Sequence, residues 1–474
     1  MKKRSIILLT AITIILLLTA WGVKEFGKKK HLYSTNNAEA LRHYKAGVNY
    51  TLMYYIKEAR REFSLAINLD PNFPLPYIYQ IMISMGPKET NIAEYYKKIA
   101  IPQKQWTDFE KEFTSLFLEF TKKRGKISGD KKFARKLEDF INKYADRIEI
   151  YPIILPMYQT TIGDKDKLVE YYRYLHEKFP NNTQILNRLG YLYLEKRDFK
   201  NAENCFKKYI FIEPDNANPY DSIADLYFTL GNYKKAIENY KKALNIKPDF
   251  YNSKIKLALC YIYTGKLRIA EKMLEEMTKL SSENPYLKYT SYSLKSFIYF
   301  SGGEKEKLKK LYENFNPSEK YRCFKIPVNV NFAILFKDKK LLSQSLKEAE
   351  NCYKFIKEMV MPFKIKELVW EGKDREAEKI IIESAKKFNE LAYDKKVIYA
   401  HIISDYYISK KQYEKIKPFL ENLQPEDKVY FNLIIAKSQN NKKLCKEFAK
   451  KLLEYYNESD DNFYKKKEAL ECLK

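Results

Sequence analysis

TQILNRLGYLYLEKRDFKNAENCFKKYIFIEPDN (183–216), ANPYDSIADLYFTLGNYKKAIENYKKALNIKPDF (217–250) and YNSKIKLALCYIYTGKLRIAEKMLEEMTKLSSEN (251–284) are three consecutive blocks of equal length that carry the same residue types at the same places. The first block has Leu186, Leu189, Gly190, Tyr193, Ala202, Phe206, Tyr209 and Pro214. The second answers with Tyr220, Ile223, Ala224, Tyr227, Ala236, Tyr240, Ala243 and Pro248. The third runs Lys254, Leu257, Ala258, Tyr261, Ala270, Leu274 and Met277, with the proline displaced to Pro285. Apolar residues spaced three and four apart line one face of a first helix and then one face of a second, so each block reads as a helical hairpin. Gly190, Ala224 and Ala258 face Ala202, Ala236 and Ala270, and small side chains on both helices let the backbones approach. One hairpin cannot bury its own apolar face, so neighbours must stack into a solenoid.

These blocks resemble the tetratricopeptide repeat. The resemblance implies an all-α, right-handed superhelical solenoid that binds rather than catalyses. Ala40–Phe73 fits the same register through His43, Ala46, Gly47, Tyr50, Ala59, Phe63, Ala66 and Pro71. The register fades over Pro74–Thr107 and is stretched over Asp108–Glu149, where a helix near Phe109–Lys123, a glycine-bearing loop and a helix near Lys131–Tyr144 are expected. It resumes at Glu149 with Leu155, Gly163, Leu168, Tyr172 and Leu175. The expected organisation is therefore a leading segment 1–30, repeats and repeat-like units over 31–182, three clear repeats over 183–284 and degenerate helical repeats over 285–474. Within the last part, Tyr321–Pro362 fits no repeat, and the tail from Asn457 is expected to fray or cap the array.

The leading segment has its own reading. Ser5–Val23 is an uncharged run rich in Ile and Leu, flanked by basic residues. As a helix it would span roughly 28 Å, near the thickness of a bilayer core. Ala20-Trp21-Gly22 makes a poor cleavage site, so the run is expected to be an uncleaved single-pass signal anchor with the repeats outside the cytoplasm.

The chain has a formal net charge of +26, distributed along its length. Its densest cluster, Lys122 to Lys136, reads as a charged loop and helix start, or as a contact for acidic surfaces. Binding of nucleic acid or anionic surfaces is the alternative to protein binding. The tyrosines of the clear blocks fall mostly at packing positions, which favours core filling over base stacking.

Catalytic signatures are missing. His31, His43, His176 and His401 lack a second ligand at metal spacing, and no phosphate loop, nucleophile elbow or paired-carboxylate motif occurs. Cys205, Cys260, Cys323, Cys352, Cys445 and Cys472 are too far apart for a zinc knuckle or redox pair. Cys205 and Cys260 read as buried apolar residues, and pairings such as Cys323 with Cys352 or Cys445 with Cys472 remain open. No metal or cofactor is expected, and the chain is read as a non-enzyme.

The resemblance implies a concave groove lined by first helices. Its candidate partner-binding residues are Asn187, Arg188 and Tyr191, then Asn218, Asp221, Asp225 and Phe228, then Asn252, Lys256 and Tyr263. The family's lysine and asparagine clamp for a C-terminal carboxylate is absent, because Asn187, Tyr191, Ser222, Asn252 and Lys256 stand at its positions. Asp221 and Asp225, one turn apart, point instead to a protein or peptide ligand with a lysine or arginine.

Overall fold

The computed structural model describes residues 32–83, 92–123, 126–279, 285–421 and 423–474, and these form helices joined by turns, with no strand among them. They divide into two compact units, one ending at Tyr171 and the other running from Tyr172 to Lys474.

In the first unit, α1 (Ala38–Leu52) and α2 (Ile56–Leu69) form a hairpin, followed by α3 (Pro74–Ile83), α4 (Ile92–Ala100), α5 (Asp108–Lys122), α6 (Lys131–Tyr144) and α7 (Ile154–Ile162). Asn37 caps α1 by accepting the Ala40 N–H at 3.0 Å. Gly47 lies so close to Phe63 that an added Cβ would meet the ring at 2.6 Å. Phe63 stacks on Tyr79 with centroids 4.7 Å apart, and Tyr44 packs edge-on to Phe73 at 5.0 Å. Thr107 and Glu110 close a capping box at the start of α5, so the stretched unit begins with a well-defined helix. In the basic cluster, Lys123 pairs with Glu119 and Asp130 at 2.8 Å each, and Lys136 with Glu119 at 2.7 Å. Those cations are partly neutralised from within.

Helix α8 (Lys165–Lys178) leads into the second unit. The three clear blocks are hairpins α9 (Thr183–Glu195) with α10 (Phe199–Ile212), α11 (Ala217–Thr229) with α12 (Tyr233–Ile246), and α13 (Tyr251–Tyr263) with α14 (Leu267–Lys279). Ala202, Ala224, Ala236, Ala258 and Ala270 are fully buried, Tyr227 and Tyr261 are buried, and Tyr193 is half-buried. Gly190 packs on Phe206 as Gly47 does on Phe63. Next come α15 (Pro285–Ser301) with α16 (Lys305–Asn314), α17 (Lys325–Phe336) with α18 (Lys339–Ala349), and α19 (Lys354–Val360). The remainder is α20 (Lys364–Trp370) with α21 (Asp374–Lys387), α22 (Tyr393–Ser409) with the short α23 (Lys417–Leu420), α24 (Pro425–Ser438) with α25 (Lys442–Tyr455), and α26 (Tyr464–Leu473).

One turn geometry recurs between first and second helices. A residue of positive φ stands at Arg197, Gly231, Gly265, Gly303, Lys337, Gly372, Lys411 and Asn440. The next N–H reaches back across the turn each time, as from Asn232 to Tyr227 at 2.8 Å and from Asp338 to Ala333 at 2.9 Å. Asp198, Asn232, Asp338 and Asn441 then cap the second helix through their side chains. Tyr321–Pro362, expected to fit no repeat, thus holds a hairpin with the same turn. Pro327 lies in the first turn of α17, where the missing N–H costs nothing.

The hairpins of the second unit curve until late ones meet early ones. The Arg197 guanidinium donates to the Leu391 carbonyl at 3.1 Å, and the Gln424 amide to the Leu230 carbonyl at 2.6 Å. The Asp460 N–H donates to the Gly265 carbonyl at 2.8 Å, and Lys266 pairs with Glu458 at 2.6 Å. The tail caps the array: Phe463 is buried against Gly265.

Two disulfides staple the late hairpins, Cys323 to Cys352 and Cys445 to Cys472, while Cys205 and Cys260 are free and buried. Thiol titration of the oxidised chain in denaturant should find the thiols of Cys205 and Cys260 alone. Cys472→Ser should lower stability by about 2–4 kcal/mol, the usual cost of losing a bridge that closes a loop of this size.

The expected N-terminal membrane helix is corrected here. Among the described residues no helix is long and apolar enough to cross a membrane. The longest, α15 and α22, have 17 residues each and carry lysines within their length. The run Ser5–Val23 lies outside the described residues. The architecture is a solenoid of helical hairpins, and the tether is withdrawn together with the single-pass membrane localisation and the extracytoplasmic side.

Candidate functional site

The residues expected to line the groove lie on α9, α11 and α13, and most of them are tied to one another. The Ser222 hydroxyl donates to Asn187 at 2.9 Å, and the Ser253 hydroxyl donates to Asp221 at 2.6 Å. Tyr191 and Tyr240 donate their hydroxyls to Asp225 at 2.9 and 2.6 Å. Lys256 completes the array, with Nζ 2.5 Å from Asp225 and 3.6 Å from Asp221. Asn218 donates to the Tyr209 hydroxyl at 3.1 Å. The bonds of Ser222 to Asn187, Tyr191 to Asp225, Ser253 to Asp221 and Lys256 to Asp225 join side chains about one repeat apart, so the stacking that aligns the blocks also aligns their polar groups into a ladder.

The ladder changes what the acidic pair does. Asn187, Asn218 and Asp221 are buried, and the cation expected from a ligand is supplied by Lys256 of the chain itself. Burial pushes the Asp221 carboxyl up to about 6, against the pull of Lys256. Burial alone would lower the Lys256 ammonium, but the charges of Asp221 and Asp225 outweigh it and hold it above its ordinary range. Removing the cation leaves two carboxylates facing each other. Lys256→Met should therefore cost about 1–3 kcal/mol, the lower end reflecting the partial exposure of the lysine. A urea titration checks it.

Side chains left available on this face are Asn252, which is exposed, and Arg188, Phe228 and Tyr263, which are half-buried, while the half-buried Tyr191 is already bonded to Asp225. Phe228 and Tyr263 meet at 6.0 Å between ring centroids, and both contact Tyr233. At Tyr263 the inner face reaches a cavity of about 430 Å³. Its walls come from Ile262 and Tyr263 of α13, Phe297 and Phe300 of α15, Leu335 of α17, and Val397, Ile398 and Ile402 of α22. Polar atoms enter through Asp394, His401 and Asp405 of α22, Lys366 of α20, Glu426 and Asp427 of α24, and Tyr464 and Lys465 of α26. The cavity is mostly apolar with a few polar groups, the usual make-up of a small-ligand site.

Sequence reasoning singled out His401 only as a histidine without a metal partner, and did not bring the other polar groups together. They come from helices far apart in the chain, which only the curvature of the second unit unites. One signal was present: the apolar residues of Tyr393–Ser409 are not confined to one stripe, as befits a helix with neighbours on more than one side.

His401 faces Tyr464, its Nε2 3.1 Å from the phenol oxygen. Burial, with the Lys465 charge, lowers its pKa to about 4. The unfolded chain therefore binds a proton here from about pH 6.5 down to 4 that the folded chain refuses, so this contribution to stability is lost as pH falls through that window. The unfolding free energy of the wild type should drop more steeply between pH 6.5 and 4 than that of His401→Gln, by on the order of 3 kcal/mol. Asp221 acts in the opposite sense, its contribution fading as pH rises through about 6.

Among the described residues no group of His, Cys, Asp and Glu could hold a metal ion. Comparison with curated proteins finds no match. Among solved structures, a tetratricopeptide repeat protein from Parabacteroides merdae is similar at 15% identity and a TM-score of 0.33, over 62% of this chain and 99% of that one. Yeast Tom70 is similar at 14% identity and a TM-score of 0.39, over 80% of this chain and 90% of that one. Family models match at residues 183–216, as a tetratricopeptide repeat, and at 224–261, as a TPR repeat. The chain thus carries tetratricopeptide repeats over these residues.

Proposed function

We propose that this chain is a non-catalytic scaffold for protein–protein interaction, and that a peptide segment of the partner lies along the inner face of α9, α11 and α13. The observation that supports this is the ladder. It holds Asn187, Tyr191, Asp221, Asp225 and Lys256 in one arrangement, so the neighbouring Arg188, Phe228 and Asn252 are presented on a surface already ordered before binding. Little side-chain entropy remains to be lost there when a partner docks.

Photo-crosslinking tests it, with probes at Arg188 and Asn252 and a control at the exposed Lys241 on α12. The expected result is one discrete protein captured from both inner positions and not from the control, through a contiguous segment of its sequence. Equal capture from all positions, or capture of nucleic acid in a salt-sensitive way, overturns the reading in favour of the basic surface.

A further inference from the structure

The cavity of the second unit has a charge balance opposite to that of the chain. The protein carries +26 overall, yet four carboxylates, Asp394, Asp405, Glu426 and Asp427, line the cavity against two lysines. Both lysines are already engaged: Lys465 with Asp427, and Lys366 with Asp405 at 3.0 Å. Among the described residues neither Asp394 nor Glu426 has an ion-pair partner. Burial holds both carboxyls above their ordinary range, the effect of a charged group facing an apolar enclosure.

The walls beside Asp394 are aromatic. Tyr233 and Tyr263 stack with centroids 5.3 Å apart, and Phe297 stands edge-on to Tyr263 at 6.0 Å. Tyr233, Tyr263 and Asp394 line the cavity together, and burial raises both phenols, followed by Asp394 for Tyr263 and by the Tyr263 ring and then Asp394 for Tyr233. Aromatic faces attract cations and repel anions. The remaining surface, from Phe300, Leu335, Val397 and Ile398, offers no oxygen shell for a hydrated metal ion but does suit hydrocarbon.

We infer that this cavity is a binding site for an organic cation, an ammonium or guanidinium group on an apolar stem, with Asp394 as its counter-ion, Glu426 as the second carboxylate, and Tyr233 and Tyr263 as the ring faces beside it. The volume accommodates a stem of six to eight carbons, on the order of the smaller drug-sized ligands. A free amine and a lysine side chain of a peptide share this chemistry.

Isothermal titration of the full chain with n-hexylammonium, n-hexanol and n-hexanoate tests the inference, alongside an acetylated and amidated Leu-Lys-Leu peptide. The ammonium is expected to bind at least tenfold more tightly than the alcohol, and the carboxylate not at all. Asp394→Asn should reduce the ammonium to the level of the alcohol while leaving the alcohol unchanged. Glu426→Gln should lower it severalfold and carries the same test if Asp394→Asn fails to fold. Ile398→Trp, which fills the cavity, should abolish binding of both. Binding by the peptide but not by the free amine assigns the cation to a protein partner, and the reverse assigns it to a small molecule. Equal affinity for ammonium, alcohol and carboxylate, indifference to both carboxylate variants, or no binding by amine or peptide overturns the site.

Discussion

Lys465→Met should lower the free energy of unfolding by about 3–5 kcal/mol, the cost of stripping one partner from a buried ion pair. The Lys465 ammonium and the Asp427 carboxylate are in direct contact, and each side chain is only 4% exposed. Burial alone would pull the ammonium down; Asp427, aided by the phenols of Tyr456 and Tyr464, outweighs it and holds the group well above its ordinary range. The same carboxylate accepts the hydroxyl of Tyr393, whose ring packs against Gly231. One anion therefore ties α26, α24 and α22 together, and removing its cation leaves the charge stranded behind apolar walls. Methionine keeps the volume of the lysine stem, which separates the electrostatic effect from a packing defect. The double variant Lys465→Met with Asp427→Asn should recover about half of the loss, because an amide can still accept from Tyr393 and carries no charge to desolvate. Urea midpoints for the two variants decide it: if the double is as unstable as the single, the loss comes from packing and the electrostatic account fails.

That pair also shows where reading the sequence stops. Lys465 stands in a run of three lysines inside a polar tail, and nothing in its neighbours distinguishes it from Lys466 or Lys467. Only the return of α26 onto the turns of earlier hairpins buries it. The same holds for Asp394 and Glu426, which meet across the cavity from different hairpins. The hairpins of 183–284 were legible because small residues at Gly190, Ala224 and Ala258 and glycines at Gly231 and Gly265 mark the close contact and the turn in the sequence itself. Beyond Pro285 the turn geometry persists, with glycine kept at Gly303 and Gly372 and replaced at the other turns, as it already is at Arg197. Lys337, Lys411 and Asn440 take the left-handed conformation that glycine takes at Gly303 and Gly372, so at those three turns the repeat survives in the backbone without its glycine marker. Asp338 and Asn441, each directly after such a residue and each capping a helix, were the signal left unused. In the groove, the residue types were legible but not their partners. Asp221 and Asp225 looked like free acceptors because Lys256 lies one repeat on, at a distance in sequence that becomes contact only once the hairpins stack.

Gly265→Ala should destabilise the second unit by about 2–4 kcal/mol, although it adds a single methyl group. Two costs combine there. Gly265 has φ +75°, a conformation that costs an L-residue about 1–2 kcal/mol. A Cβ at this position would also stand 2.5 Å from the Phe463 ring and 2.7 Å from Ser459 Cβ. Both of those residues are buried, and the carbonyl of Gly265 holds the Asp460 N–H at 2.8 Å, so the tail cannot retreat without losing that bond. Gly372→Ala separates the two terms. Gly372 has φ +77° with nothing near its added Cβ, so its variant should lose only about 1–2 kcal/mol. The difference between the variants then measures how tightly the tail is seated on the third repeat. Phe463 lines the cavity as well, so the same methyl group should weaken n-hexylammonium binding several-fold, whereas Gly372→Ala should leave it unchanged. Equal destabilisation by the two alanines would mean that the tail yields freely, and the closed inner face of the second unit would then be a loose lid rather than a wall.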